Sequence, residues 1–107
     1  MPKNSGSDSI FEGDIRLDTE KKLDEPKMYR VILHNDNYTT MDFVIEVLMK
    51  VFHMPAAMAT KIMLDVHRIG RGLCGIYTLD IARTKVNQVH DMAHSREFPL
   101  KSSYEEA

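Results

Sequence analysis

The sequence predicts an α+β domain in which three helices pack on one face of a small, mainly antiparallel, three-stranded sheet, in the order β-α-α-β-α-β. Two observations carry this prediction. Beyond residue 27, apolar runs typical of strands alternate with segments whose apolar residues recur at helical spacing, and the connections between them are short. A chain of 107 residues with 43% hydrophobic residues is also sufficient for one core but not for two.

The chain divides near Pro26. The residues before it are rich in Ser, Asp, Glu and Lys, and their few large apolar residues follow no sustained period. We therefore predict a flexible N-terminal tail over residues 1–26 and a single folded domain over residues 27–107. On the residues alone, a leader without a role and a functional arm are equally good interpretations of the tail.

The first strand and the first helix are separated by a short polar cluster. Residues 28–34 are β-branched and apolar, as in a buried strand, and Asn35-Asp36-Asn37 ends the run. Thr39, followed three residues later by Asp42, predicts a helix start in which a hydroxyl and a carboxylate bind free backbone amides. Apolar residues at helical spacing extend this helix to about Phe52.

Proline and glycine mark the next two elements. Pro55 is tolerated in a first helical turn and predicts the start of a second helix, which should end near Gly70. Residues 73–78 predict the second strand. The nearby glycines Gly72 and Gly75 indicate a bulge or a close approach of the backbone.

The last two elements are a long helix and an edge strand. Thr78 is a candidate cap for the third helix, whose apolar residues recur at helical spacing and which should end before Arg96. Residues 98–104 predict the last strand. Because this segment contains Pro99, which cannot donate to a sheet ladder, we expect the strand on an edge.

Composition excludes several classes of function. A net charge of −2 provides no basic surface for nucleic acid, and no apolar run approaches the roughly 20 residues that a membrane span requires. One cysteine, Cys74, cannot form an internal disulfide, which indicates a reducing cytoplasm. We expect a monomer, since no apolar helix face remains once the three helices are packed, and we expect no cofactor.

Asn35, Asp36 and Asn37 are candidate binding residues because they lie at a strand-to-helix junction. Such a junction presents acceptor oxygens between two fixed elements. On the second helix, Met63, Val66 and His67 share one patch, because they stand at i, i+3 and i+4. If the patch faces the junction, an ammonium group can donate to an amide, a carboxylate and a neutral imidazole together.

An apolar pocket is predicted beside that polar cluster. Met41 and Val44 of the first helix would form its walls together with the patch on the second helix. A free α-amino group next to a hydrophobic side chain would fit this combination. The residues alone leave open that the Asn/Asp cluster is an ordinary turn, that His67 is a surface histidine and that the apolar residues are core.

Two other candidate sites receive weaker support. His90 and His94 stand at i, i+4 on the third helix, but two histidines without a third ligand are weak evidence for a metal. Cys74 with a histidine and an aspartate elsewhere would allow a hydrolase, although a buried inert thiol is the simpler interpretation.

Four separated stretches, in order and spacing, resemble the bacterial ClpS adaptors: YRVILHNDNYTTMDFV, IMLDVH ending at His67, GLCGIYTLDIARTKV, and FPL at residues 98–100. The resemblance covers the chain from Pro26 onward. It implies an adaptor, not an enzyme, that recognises proteins with a bulky hydrophobic N-terminal residue (Phe, Leu, Tyr or Trp) and delivers them to a Clp AAA+ unfoldase and its protease.

The resemblance also implies residue roles. Positions Asn35, Asn37 and His67 would hold the substrate's α-amino group, and Asp36 would contribute negative potential. Met41 would exclude β-branched first residues. The positions that match the family's side-chain pocket are Leu33, Thr39, Met41, Val44, Met63, Val66 and Leu100.

This chain departs from the family's usual sequence motif, Asn-Asp-Asp-Tyr-Thr-Pro-Met, at Asn37 and Thr40. An amide at Asn37 still accepts hydrogen bonds but attracts a cation less than a carboxylate does. The departure should therefore change affinity more than specificity. Thr40, in place of a proline, should loosen the helix start only slightly.

By the same resemblance, Asp80 and Lys85 would contact the N-terminal domain of the unfoldase, and the tail would be engaged during delivery. The rival interpretation is a generic protein-interaction domain, because ClpS domains resemble in fold the C-terminal domain of the ribosomal stalk protein. The Asn35–Asn37 cluster with His67 favours the adaptor, since a stalk-type domain has no need of it.

Overall fold

The computed structural model describes residues 25–107, so the predicted tail over residues 1–26 lies almost entirely outside the described part and stays a prediction. The elements, in chain order, are β1 (Met28–His34), α1 (Met41–Lys50), α2 (Ala56–Ile69), β2 (Arg71–Thr78), α3 (Leu79–Ser95) and β3 (Lys101–Glu106). The sheet has the order β2-β1-β3, and both pairs are antiparallel. The predicted fold class and element order are confirmed.

The core lies between one face of the sheet and the helices. β1 runs through the middle of the sheet, and its Val31 and Leu33 have no exposed surface. Val47 and Leu48 of α1 and Val89 of α3 are equally buried against them. Each such side chain contributes roughly 1.5–3 kcal/mol when it leaves water, so this cluster fixes where α1 and α3 stand on the sheet.

The start of α1 differs from the prediction by one residue. The cap is Thr40, whose hydroxyl oxygen accepts a hydrogen bond from the Phe43 amide at 3.1 Å. Thr39 does not cap, because its hydroxyl donates to Asp36 instead. The helix ends at Lys50 and not at Phe52.

The predicted bulge is confirmed. The register of β1 against β2 shifts between Val31, which pairs with Gly75, and Ile32, which pairs with Leu73. Cys74 is the extra residue and is buried.

Burial raises the pKa of the Cys74 thiol to about 12. The thiolate that reacts with alkylating reagents is therefore nearly absent near neutral pH. We expect iodoacetamide to leave Cys74 unmodified in the native protein and to label it quickly in denaturant, as measured by mass spectrometry. Rapid labelling without denaturant would contradict the buried placement.

The boundaries of α2 follow the prediction, whereas β2 starts earlier than predicted. α2 begins after Pro55 and ends at Ile69, just before Gly70. β2 begins at Arg71 and not at residue 73.

Two further corrections concern α3 and β3. Thr78 stands at the cap position of α3, but its side chain makes no capping hydrogen bond. β3 runs from Lys101 to Glu106 and not over residues 98–104, so Pro99 precedes the strand, and the predicted edge position is confirmed. Within residues 25–107, no helix has the length and apolar character to cross a membrane.

Candidate functional site

The loop between β1 and α1 is organised by Asp36. Its carboxylate accepts hydrogen bonds from the Tyr38 amide at 2.8 Å, the Thr39 amide at 2.7 Å and the Thr39 hydroxyl at 2.7 Å. Burial alone would raise the pKa of Asp36, but the hydrogen bonds from Thr39 and Tyr38 outweigh it and hold the pKa below its ordinary value. Asp36 therefore remains an anion whose oxygens are already used to shape the loop, while Asn35 and Asn37 are exposed on either side of it.

A backbone hydrogen bond joins this loop to the end of α2. The Asn35 amide donates to the Gly70 carbonyl at 3.0 Å. Gly70 has a φ of 101°, the left-handed conformation that ends helices and that glycine adopts without strain. Because His67 lies in the last turn of α2, this link brings the imidazole and the asparagines to the same place.

Close packing of α2 on β2 fixes the position of Val66. A Cβ atom at Gly72 would stand 2.7 Å from Cγ2 of Val66, so only glycine leaves Val66 its present position. Leu33 pairs with Gly72 from the adjacent strand. Val66 is thereby held beside the asparagine loop.

Between the loop and the two helices lies a cavity of about 230 Å³. Its polar members Asn35, Asn37 and His67 are exposed, whereas Val44 and Val66 are buried. The residues that line the cavity are Asn35, Asp36, Asn37, Thr39, Met41, Val44, Met63, Val66 and His67. An accessible polar end thus adjoins a buried apolar end, and the size suits one large side chain.

The three residues predicted to hold an α-amino group line this cavity together with Asp36, as do five of the seven predicted pocket residues. Leu33 and Leu100 are the two exceptions. They are 0% and 4% exposed and belong to the hydrophobic core, so the cavity does not reach them.

The donors and acceptors of the cavity suit a cation with several N–H groups. The side-chain amides of Asn35 and Asn37 each offer an oxygen, and a neutral His67 offers one ring nitrogen. The Thr39 hydroxyl donates to Asp36, but the lowered pKa of this carboxyl makes it a weak base, and its oxygens also hold the backbone amides of the loop. The arrangement can bind an ammonium group.

Asp80 and Lys85, the predicted contacts for an unfoldase, do not line the cavity. Asp80 is exposed in the first turn of α3. The Lys85 ammonium donates to the Val51 carbonyl at 2.7 Å, at the end of α1, and stands 5.9 Å from the centroid of the Tyr77 ring. Lys85 thus has a structural contact that the sequence did not reveal.

The two histidines of α3 are not arranged as a metal site. The ring nitrogen Nε2 of His90 accepts a hydrogen bond from the Ser102 amide at 3.0 Å, which ties α3 to β3. In the described part of the chain, no group of three or more His, Cys, Asp or Glu side chains is placed to hold a metal ion.

The chain resembles known proteins over nearly all of its length. Residues 24–103 match the family model described as "ATP-dependent Clp protease adaptor protein ClpS". The ATP-dependent Clp protease adapter protein ClpS of Syntrophus aciditrophicus is 60% identical over 96 residues, 90% of either chain. That of Lawsonia intracellularis is 50% identical over 106 residues, 99% of this chain and 97% of the relative.

A solved structure is similar as well. Agrobacterium tumefaciens ClpS2 bound to L-phenylalaninamide superimposes with a TM-score of 0.76 at 36% sequence identity. The match covers 78% of this chain and 100% of the other.

Proposed function

This chain belongs to the ClpS family of ATP-dependent Clp protease adaptors, a family without catalytic activity, and from that premise we propose how it selects its substrates. It binds proteins that carry a free α-amino group and a bulky hydrophobic first residue, namely Phe, Leu, Tyr or Trp. It then delivers them to a Clp AAA+ unfoldase for degradation. The observation that carries this proposal is the single cavity that joins Asn35, Asn37 and His67 to an apolar wall.

The polar end of the cavity recognises the α-amino group. The ammonium donates to the side-chain oxygens of Asn35 and Asn37 and to a ring nitrogen of His67. Asp36 adds negative potential without a direct bond, because its own oxygens are held by Tyr38 and Thr39. L-Phenylalaninamide, the molecule bound to the Agrobacterium relative, has a free α-amino group and an aromatic side chain.

The apolar end receives the first side chain. Met41, Val44, Met63 and Val66 surround it, and the thioethers of the two methionines adapt to aromatic and aliphatic shapes. Met41 is half exposed at the cavity, where its bulk would collide with a branch on the β-carbon of Val or Ile. Leu33 and Leu100 support these walls from the core.

Binding of moderate strength follows from these contacts. Each charge-assisted hydrogen bond contributes about 1.5–3 kcal/mol, and burial of a Leu or Phe side chain about as much. After the cost of association, we expect a dissociation constant on the order of micromolar, which allows capture followed by release.

Delivery uses a second surface. Asp80 and Lys85 of α3 contact the N-terminal domain of the unfoldase, Lys85 through the N–H groups that Val51 does not use. Asp80 lines a groove with Pro26 and Lys27, next to the point where the described chain begins. The described chain begins at residue 25, next to this groove, and we propose that the unfoldase engages the residues before Pro26 during delivery. A monomer in the cytoplasm stays our prediction.

The test is fluorescence anisotropy with two labelled peptides that differ only in the first residue, Leu against Val. We expect micromolar binding of the Leu peptide and at least about ten-fold weaker binding of the Val peptide. Equal affinities would reject side-chain selection and leave the generic interaction domain as the better account. A Leu-initiated folded protein, degraded by the Clp unfoldase and protease only when this chain is added, would test delivery.

Loss of the His67 ring should weaken binding. The side chain lines the cavity and offers the ammonium a nitrogen acceptor. We expect His67→Ala to bind the Leu peptide about ten-fold less tightly than wild type, measured by anisotropy.

The matched control is His94→Ala. It changes an exposed histidine that does not line this cavity and should keep the wild-type affinity. Wild-type affinity in His67→Ala would contradict the acceptor role of His67.

A further inference from the structure

Met41 differs from the other residues of the apolar wall in its exposure to solvent. It lines the cavity, and 45% of its surface is exposed, whereas Met63 is 7% exposed and Val44 6%. The thioether of an exposed methionine is the part of this wall that small oxidants can attack. Oxidation of Met41 would therefore change the chemistry of the wall against which a bound side chain packs.

We propose that Met41 is an oxidation site through which peroxide weakens substrate binding, an inference that rests on the function proposed above. A hydroperoxide transfers one oxygen atom to the Met41 sulfur. The sulfur loses two electrons, the O–O bond breaks, and hydrogen peroxide leaves as water. Two thiols of a methionine sulfoxide reductase system reverse the change, forming a disulfide and water and restoring the thioether.

The product no longer fits the cavity's apolar end. A sulfoxide is polar and chiral, and its oxygen requires a hydrogen-bond donor. A Leu or Phe side chain bound against Met41 offers none, and the wall residues Val44, Met63 and Val66 have none in their side chains. Binding must then either desolvate the sulfoxide or displace it, and both weaken the complex.

The chain contains its own controls. Met28, Met49 and Met58 are 40%, 40% and 51% exposed, close to Met41, but none of them lines the cavity. Their oxidation should proceed at a comparable rate and leave binding unchanged. Burial protects Met63, so mild treatment separates the exposed sulfurs from the buried one.

The experiment treats the full chain with hydrogen peroxide, removes the oxidant, and measures anisotropy with a Leu-initiated peptide that lacks sulfur. Peptide mapping by mass spectrometry reports which methionines gained oxygen. The readout is the ratio of affinities after and before treatment within each variant. For wild type we expect a loss of about ten-fold or more, the change expected when one polar group is left without a partner.

Two variants locate the effect. In Met41→Leu, treatment should change affinity less than about two-fold, whatever the starting affinity of the variant. The triple variant Met28→Leu, Met49→Leu and Met58→Leu should lose as much as wild type. Saturating Leu peptide, present during treatment, should slow oxidation of Met41 but not of Met58.

The outcomes separate this inference from the proposed function. If untreated wild type fails to bind the Leu peptide, the proposed function falls, and this inference with it. If untreated protein binds, and either Met41 gains no oxygen, oxidised Met41 leaves affinity unchanged, or Met41→Leu loses as much affinity as wild type, then only the oxidation site is overturned.

Discussion

Acetylation of the α-amino group should lower the affinity of a Leu-initiated peptide by about a hundred-fold or more. An acetyl group removes the positive charge and two of the three N–H donors. Hydrogen bonds to a charged group contribute about 1.5–3 kcal/mol each, and each 1.4 kcal/mol changes a dissociation constant about ten-fold. The acceptors of Asn35, Asn37 and His67 would in addition be left without partners around a neutral amide. Competition against the labelled free peptide measures the effect.

The control is the same peptide with a free N-terminus and one acetylated Lys side chain at its fourth position. It undergoes the same chemical change away from the cavity and should bind as the unmodified peptide does. If N-terminal acetylation changed affinity no more than side-chain acetylation, the amine would not be the recognised group, and the cavity would lose its proposed role.

Replacement of Asn35 by Ala should weaken binding of the Leu peptide by about ten-fold to a hundred-fold, because one charge-assisted hydrogen bond is lost. The fold should survive, since the link from Asn35 to Gly70 is made by the backbone amide, which alanine retains. Thermal unfolding measures this second point. The affinity is measured by anisotropy with the same peptide.

The matched control is Asn87→Ala, which changes the same residue type at an exposed position of α3 that does not line the cavity. Its affinity should equal that of wild type, and its melting temperature should not fall, because alanine is the better helix former. Full affinity in Asn35→Ala would show that the ammonium does not use this amide, whereas a large loss of stability would show that the side chain supports the loop.

The fold could be predicted from the sequence because the spacing of the apolar residues and the positions of Pro, Gly and capping residues indicate the same helices and strands in most of the domain. The error at the start of α1 has a physical cause. Thr39 and Thr40 are both good caps, and only the three-dimensional path of the loop decides that Asp36 takes the Thr39 hydroxyl and leaves the cap to Thr40. The position of Pro99 was misjudged for a similar reason, because the composition of residues 98–100 does not show where pairing begins.

The cavity could be predicted in part. Helical spacing brought Met63, Val66 and His67 to one patch, and a strand-to-helix junction presented the asparagines, so the resemblance and the spacing agreed. Neither separates a wall from the core behind it, which is why Leu33 and Leu100 were assigned to the pocket although the cavity does not reach them. Contacts between residues far apart in the chain, such as Lys85 with Val51, leave no mark in a single sequence.

The most direct test of amino-terminal recognition is a crystal structure of this chain with a Phe-initiated peptide. We expect the α-amino nitrogen within about 3 Å of the side-chain oxygens of Asn35 and Asn37 and of a ring nitrogen of His67. The aromatic ring should lie between Met41 and Met63. A peptide bound elsewhere, or bound in this cavity with its amine directed to solvent, would rule out amino-terminal recognition at this site.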